Sequence, residues 1–336
     1  MDPVTALREV AFYLERDHAA TYRVQAFRHA ADVVAGLDDV ARASRRRRDN
    51  WTELPGIGPK TAAVIRESFD GVPEYLARLR DEAEPIGRGG QELLAALRGD
   101  LHTHSDWSDG GSSIEEMHRT VSSMIGHEYY ALTDHSPRLT VANGLSAERL
   151  VTQLELVAEI NEKGEGARIL TGIEVDILDD GTLDQDEGLL AELDVVVASV
   201  HSHLRADRDV MTKRMLRAVE NPHVDVLGHC TGRLVTGGRG QRPESKFDAE
   251  KVFAACRDHG TAVEINSRPE RRDPPSRLID LALATECLFS IDTDAHAPGQ
   301  LAWLGYGCER AAERGVEPDR VINTWPVDDL LAWTEG

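Results

Sequence analysis

The chain has 336 residues, 41% hydrophobic and 29% charged, a globular composition that allows one large domain and a smaller one. No apolar run reaches the ~18 residues of a membrane helix, MDPVTALREV lacks a secretory leader pattern, and four scattered cysteines contain no C-x-x-C pair, so a cytoplasmic protein without disulfides, thiolate zinc knuckle or membrane partner is expected. The net charge of −21 is uneven: residues 1–99 carry 15 Lys and Arg against 16 Asp and Glu, the remainder 23 against 43, so a polyanion is repelled least by the N-terminal part.

In chain order, VTALREVAFYLE and YRVQAFRHAADVVAGL place apolar residues at helical spacing. Next comes LPGIGPKTAAVI, which has the form of a helix-hairpin-helix. Pro55, Gly56 and Gly58 break the chain, and Pro59 suits a first helical position. The two glycines would let the backbone approach a phosphate, the amides of the next helix would point at it, and Lys60 adds charge. The alternative is a plain helical turn with no ligand. Arg45–Arg48 either follow a DNA backbone or form a solvated helix face. Residues 5–80 as a whole resemble the N-terminal DNA-binding domain of family X DNA polymerases. That resemblance implies DNA as a partner, gripped at ends or gaps. The candidate DNA contacts are Gly56, Gly58, Lys60 and Arg28. The lysine that gives some members of that family lyase activity would fall on Val64, so no lyase is expected. The expected organisation is a helical domain over 1–80, a Pro/Gly-broken linker over 81–98, and a second domain over 99–336.

From Gly99 the texture changes. Seven short apolar runs (DLHTH, EYYALTDH, ARILTGIEVDI, LDVVVASVHSH, VDVLGHC, TAVEINSR and LFSIDTDAH) are separated mostly by amphipathic stretches such as AERLVTQLELVAEINEK and AEKVFAACRDHG. This alternation predicts an α/β fold, a parallel sheet closing into a seven-stranded β/α barrel behind a small all-α domain. Barrel sites gather at the carboxyl ends of strands, and here nearly every end carries an imidazole or carboxylate. His102 and His104 share one side of an extended strand, and Asp294 and His296 repeat that spacing. Of 13 histidines, six lie at the ends of five strands. His18, His29, His118, His127, His203, His223 and His259 are left as structural or surface residues. The candidate ligands are His102, His104, Asp109, His135, Glu174, His201, His229, Asp294 and His296. Nine exceed one tetrahedral site and suit two or three divalent ions, Zn, Mn or Fe. Clustered ions of this kind activate water and hold the oxygens of a phosphoryl displacement. Amide hydrolysis is the rival. Metal amidohydrolases on barrels also open with H-x-H, but their paired ions often use a carbamylated lysine on a middle strand. None of the five lysines here ends a candidate strand.

DLHTHSDWSDG, LTDHS, GIEVDI, VASVHS, LGHCTGR, EINSRP and DTDAH, in this order, resemble the PHP (polymerase and histidinol phosphatase) family over residues 99 to about 333. The resemblance implies a distorted barrel, a trinuclear site on the nine residues above, and phosphoester hydrolysis. Asp109 matches the SDG turn of the form found in bacterial family X polymerases. Cys230 departs from the proline common after that histidine and reads as a buried neighbour. Asp134 is expected to orient a ligand or handle a proton, with a structural carboxylate as the alternative. Arg233, Asn266, Arg268 and Arg271 lie beyond strand ends and either contact a phosphate or belong to a solvated loop. The family X polymerases place a nucleotidyl-transfer module between the two domains, and residues 81–98 leave no room for one. The expectation is therefore a metal-dependent phosphoesterase acting on DNA ends, as a 3′-5′ exonuclease or 3′-phosphatase, by attack of a metal-bound hydroxide and without polymerase activity. A small-molecule phosphatase of the histidinol-phosphate type and a noncatalytic DNA-binding repair protein are the alternatives.

Overall fold

The computed structural model describes residues 1–237 and 240–335. They fall into two compact units, Met1–Pro85 and Ile86 onward. The first unit is five helices: α1 Pro3–Arg16, α2 Thr21–Ala35, α3 Asp39–Arg48, α4 Pro59–Ser68 and α5 Glu74–Asp81. Asp2 and Asp38 cap α1 and α3 by accepting the Thr5 and Ala41 amides, which satisfies donors the helix itself leaves open. Leu7, Val10, Phe27, Ala30, Trp51, Ile57, Ile65 and Leu76 form the core. Val64 lies in it too, 1% exposed. By contrast α3 buries none of its residues, so its four arginines ride on the outside.

The second unit opens with α6 Gln91–Ala96 and then alternates strand and helix: β1 Gly99–Thr103, α7 Ile114–Thr120, β2 Tyr129–Leu132, α8 Ala147–Glu162, β3 Arg168–Asp176, α9 Glu187–Leu190, β4 Val195–Ser199, α10 Arg208–Val219, β5 Val226–Leu227, α11 Ala249–His259, β6 Ala262–Asn266, α12 Ser276–Ala284, β7 Phe289–Asp292, then α13 Leu304–Glu313 and α14 Val327–Thr334. All seven strands are parallel, in sequence order. Helical crossovers between successive strands make them parallel. A bridge from Thr103 to Ala295 brings β7 back to β1, so the sheet is a nearly closed barrel. The expected α/β barrel behind a helical domain is the observed fold. Among the described residues no helix is long and apolar enough to cross a membrane.

The linker is shorter than residues 81–98. α5 runs to Asp81, and the chain joins the barrel unit at Ile86. The Arg88 amide donates to Glu309 (2.9 Å), and Leu93 and Leu97 are buried in the barrel core. Gly90, at φ +71°, passes so close to the Cys308 backbone that a Cβ would overlap it. The glycines that read as a break in the chain serve close packing on α13.

At the amino-terminal end of the barrel, Asp225 accepts the Val196 amide (2.7 Å). Burial, with Asp194 adding to it, pushes its carboxyl up to about 8. A raised folded-state value means the native protein holds a proton that the unfolded chain, at ~3.9, releases. This contribution is intact below about pH 4 and is lost as pH rises towards 8. Asp225→Asn is therefore expected to match wild type at pH 4 and to exceed it by ~5 kcal/mol at pH 8, read from denaturant unfolding of the barrel across that range.

Candidate metal centre

Every one of the nine candidate ligands sits at the carboxyl end of the barrel or on the turn that follows. Four overlapping groups of ligand atoms, each spanning no more than 4.8 Å, contain them all: His104, Asp109, His135 and His296; His102, Glu174 and His229; His102, His104 and Asp294; His135, Glu174 and His201. Glu174, on β3, is central. Its Oε2 lies 2.9 Å from His135 Nδ1, 3.3 Å from His102 Nε2 and 3.6 Å from His104 Nε2. Its Oε1 lies 2.9 Å from His229 Nε2 and 3.2 Å from His201 Nε2. Asp109 closes the outer edge, 3.4 Å from His135 Nε2 and 3.2 Å from His296 Nε2. Asp294, at φ +52°, adopts a left-handed conformation that turns its carboxylate over the barrel mouth, where Arg268 and Arg271 hold it.

The electrostatics follow from this crowding. Burial alone would raise the Glu174 carboxyl, but His102, His135 and His201 hold it well below its ordinary range. Reciprocally, burial alone would depress His135, yet Glu174 and Asp109 pull it up to about 10. Burial and the neighbouring His296 and His135 push His104 well down, so it is a neutral imidazole. The ring nitrogens His102 Nε2, His104 Nδ1 and Nε2, His135 Nδ1 and His229 Nδ1 are buried without a hydrogen-bond partner. Buried ring nitrogens without hydrogen-bond partners, crowded around ionised carboxylates, are a setting that a bound cation completes. Imidazole nitrogen and carboxylate oxygen are the donors divalent Zn, Mn or Fe take, so the residues fit a cluster of such ions.

A second layer sets the rings. Glu264 on β6 lies 2.6 Å from His102 Nδ1 and accepts the His229 amide. Asp176 pairs with His201 Nδ1. Such partners fix which nitrogen faces an ion. Both carboxylates are visible in the sequence, but their roles become readable only when β3 to β6 lie side by side. Their signal is the period of two, since Asp176 follows Glu174 as His104 follows His102.

Asp134, Asn266, Arg233 and Arg28 serve other ends than the proton-handling, substrate or DNA roles expected of them. Asp134 is fully buried and accepts from the Ser105 amide (2.8 Å), Ser105 Oγ (2.6 Å), Ser108 Oγ and Gln153 Nε2 (2.7 Å). Four donors occupy it, so it handles no proton; it builds the turn that presents Asp109. Asn266 is buried and bonds Glu264 (3.3 Å) and Asp294 (3.2 Å), out of a substrate's reach. Arg233 spends its guanidinium on the Arg271 and Arg272 carbonyls and on Glu244. Arg28 is ion-paired with Glu15 and only 15% exposed, so it ties α2 to α1 rather than meeting DNA. Two arginines do reach the site. Arg268 and Arg271 line a cavity of about 590 Å³ together with Asp109, His135, His201, Asp294 and His296, and Arg271 Nη1 is buried without a partner. The Cys230 thiol lies in the barrel core, where burial raises it well above its ordinary value; it belongs to none of the ligand groups.

In the helical unit, Gly56 lies at φ +82°, where a Cβ would overlap the His29 ring. Gly58 is exposed with nothing in front of it. It is the N-cap of α4 and has no side chain to offer the first amides, and Lys60 is exposed beside it. An anion can approach that helix start directly.

Family models place these two units. One described as a PHP domain matches residues 100–268, and one described as a helix-hairpin-helix domain matches residues 1–71. The DNA polymerase/3′-5′ exonuclease PolX of Bacillus subtilis (strain 168) is 39% identical over 280 residues, 83% of this chain; the chain spans 46% of that protein's length. A probable phosphatase of Thermoanaerobacter sp. (strain X514) is 28% identical over 67% of this chain and 89% of its own. Among solved structures, histidinol phosphate phosphatase from Lactococcus lactis, complexed with zinc, L-histidinol and phosphate, aligns with a TM-score of 0.46 and 18% identity over 66% of this chain and 95% of that one.

Proposed function

The chain belongs to the PHP-domain family, and from that premise we propose that it is a metal-dependent phosphoesterase that trims or dephosphorylates the 3′ ends of DNA held by its helix-hairpin-helix unit. The observation that carries the reading is the ring of imidazoles around Glu174, with buried ring nitrogens left unpartnered. Two or three divalent ions held there would supply Lewis acidity, acidifying water near neutral pH and neutralising phosphoryl oxygens. The chain's own groups do the rest. Glu174, Asp109 and Asp294 fix the spacing of the donors, and Glu264 and Asp176 lock two rings. Arg268 and Arg271 flank the cavity, where guanidinium forks offset charge that grows on phosphoryl oxygens. Between Asp81 and Gly99 there is no space for a nucleotidyl-transfer module, so no DNA synthesis is proposed.

The excess of acidic residues after residue 99, 43 against 23 basic, opposes a long polyanion and favours a second reading, a small-molecule phosphatase. One experiment separates them. The Mn- or Zn-loaded protein is incubated with end-labelled single-stranded DNA, gapped duplex and histidinol phosphate. Shortening or 3′-dephosphorylation of DNA is the expected result; phosphate release from the small ester alone supports the second reading, and no turnover of any substrate leaves DNA binding as the function. Gly58→Ala combined with Lys60→Ala is expected to weaken gapped-DNA binding about tenfold, one phosphate contact's worth, with unfolding unchanged because the space beside Gly58 is open. Gly56→Ala should instead destabilise the helical unit by ~2 kcal/mol through its backbone conformation and the His29 overlap.

A further inference from the structure

Beside the cavity of the metal centre lies a second one of about 660 Å³, and Arg242 lines both. Five cations surround it, Arg208, Arg233, Arg242, Lys246 and Arg277, against one carboxylate, Glu244. The local sign is thus the reverse of the acidic half of the chain in which it sits. Glu244 is shared by Arg233 (3.3 Å) and Arg277, and Arg208 is paired with Asp248 (3.1 Å). Lys246 is exposed and no ion pair among the described residues includes it. Arg242 Nε donates to the Gly232 carbonyl (2.5 Å), which anchors its guanidinium where the two cavities adjoin. The apolar part of the lining is Val235, Pro243, Leu278 and the half-buried Phe247.

Several cations and an aromatic side chain lining one pocket are the chemistry that recognises a nucleotide, the phosphate by charge and the base by its face. We propose that this pocket is a subsite for a second nucleotide of a single strand, the neighbour of the one whose ester is cleaved in the adjoining cavity. The inference rests on the phosphoesterase reading and narrows it. Substrates of two or more nucleotides are held across both cavities, and a mononucleotide-sized ester occupies only one. A local patch of net positive charge also answers the objection from the acidic barrel, because a strand meets the reversed sign next to the site of cleavage.

The test uses the full chain. Binding of fluorescein-labelled trithymidylate is measured by anisotropy in EDTA, and hydrolysis of trithymidylate and of a thymidine 4-nitrophenyl phosphodiester is measured in Mn. Lys246→Glu with Arg277→Glu is expected to weaken trinucleotide binding at least tenfold and to lower the trinucleotide-to-nitrophenyl ratio of kcat/KM by a similar factor. Lys246→Arg with Arg277→Lys should restore both. The control pair Lys251→Glu with Arg257→Glu makes the same charge change on α11 outside the cavity. An equal loss in the control pair, or binding and ratio unchanged within twofold in the first pair, overturns the subsite. Equal affinity for an abasic trinucleotide overturns a stacking role for Phe247. If no phosphoester is hydrolysed, the phosphoesterase reading fails, while the anisotropy arm still decides whether the pocket binds a nucleotide.

Discussion

Glu174→Gln is expected to lose most of its bound metal and to lower phosphoester hydrolysis by at least ~10³-fold. The substitution keeps the shape of a side chain that is 1% exposed, so the fold has no cavity to close. What disappears is the one negative charge within 4 Å of five imidazoles. That charge is held ionised against its own burial by His102, His135 and His201, and it keeps those rings together when no ion is present. With an amide there, any cation held in the cluster would lose an anionic donor, and the rings lose the partner that offsets their mutual repulsion. The checks are metal per chain by elemental analysis and turnover of a generic phosphodiester with Mn supplied in excess. Asp225→Asn, at the other end of the barrel, serves as the comparison and should retain both. Full metal content and turnover in Glu174→Gln would sink the assignment of this carboxylate to the centre of the site.

How far the sequence foretold this arrangement depends on the range of the contacts involved. The seven strands were legible because short apolar runs alternate with amphipathic ones, and helical crossovers between successive strands make the sheet parallel. The candidate ligands were legible because period two puts His102 with His104, and Asp294 with His296, on one side. Barrel geometry then brings all strand ends to one rim. What the chain did not disclose are contacts with no local pattern. Asp134 and Asp109 lie 25 positions apart, and only the fold shows that the first carboxylate is saturated by Ser105, Ser108 and Gln153. Likewise Glu264 meets His102 across 162 positions. Arg28 read as a DNA contact and Arg233 as a phosphate contact or part of a solvated loop, because an arginine's stem and fork can serve a ligand or the fold equally well. Their partners Glu15, Glu244 and the Arg271 and Arg272 carbonyls decide which. The linker was misjudged for a related reason. Glycine signals freedom and close approach alike, and Gly90 turns out to need the second.

Arg271→Ala is expected to lower kcat by ~10²–10³ with metal content retained, the loss typical of removing one preorganised donor from a charged transition state. The residue has two faces. Its Nε donates to Asp294 at 3.0 Å, which fixes the fork, and its buried Nη1 has no partner. It lines the cavity that also holds His135, His296 and Asp109. An unpartnered buried N–H of a fixed cation is costly unless an anion completes it, and a phosphoryl oxygen in that cavity is the group that would. If the contact tightens as charge builds during displacement, kcat falls more than KM rises. If it only binds ground-state phosphate, KM rises and kcat holds. Lysine at this position should recover little, since an ammonium cannot hold Asp294 and reach a phosphoryl oxygen in one planar fork. Arg233→Ala is the informative contrast. Its guanidinium holds the Arg271 and Arg272 carbonyls, so its removal should act by loosening the loop that carries Arg271, lowering thermal stability and raising KM for oligonucleotides through the neighbouring pocket. Equal kcat losses in the two variants would mean that loop position, rather than the Arg271 charge, governs the reaction.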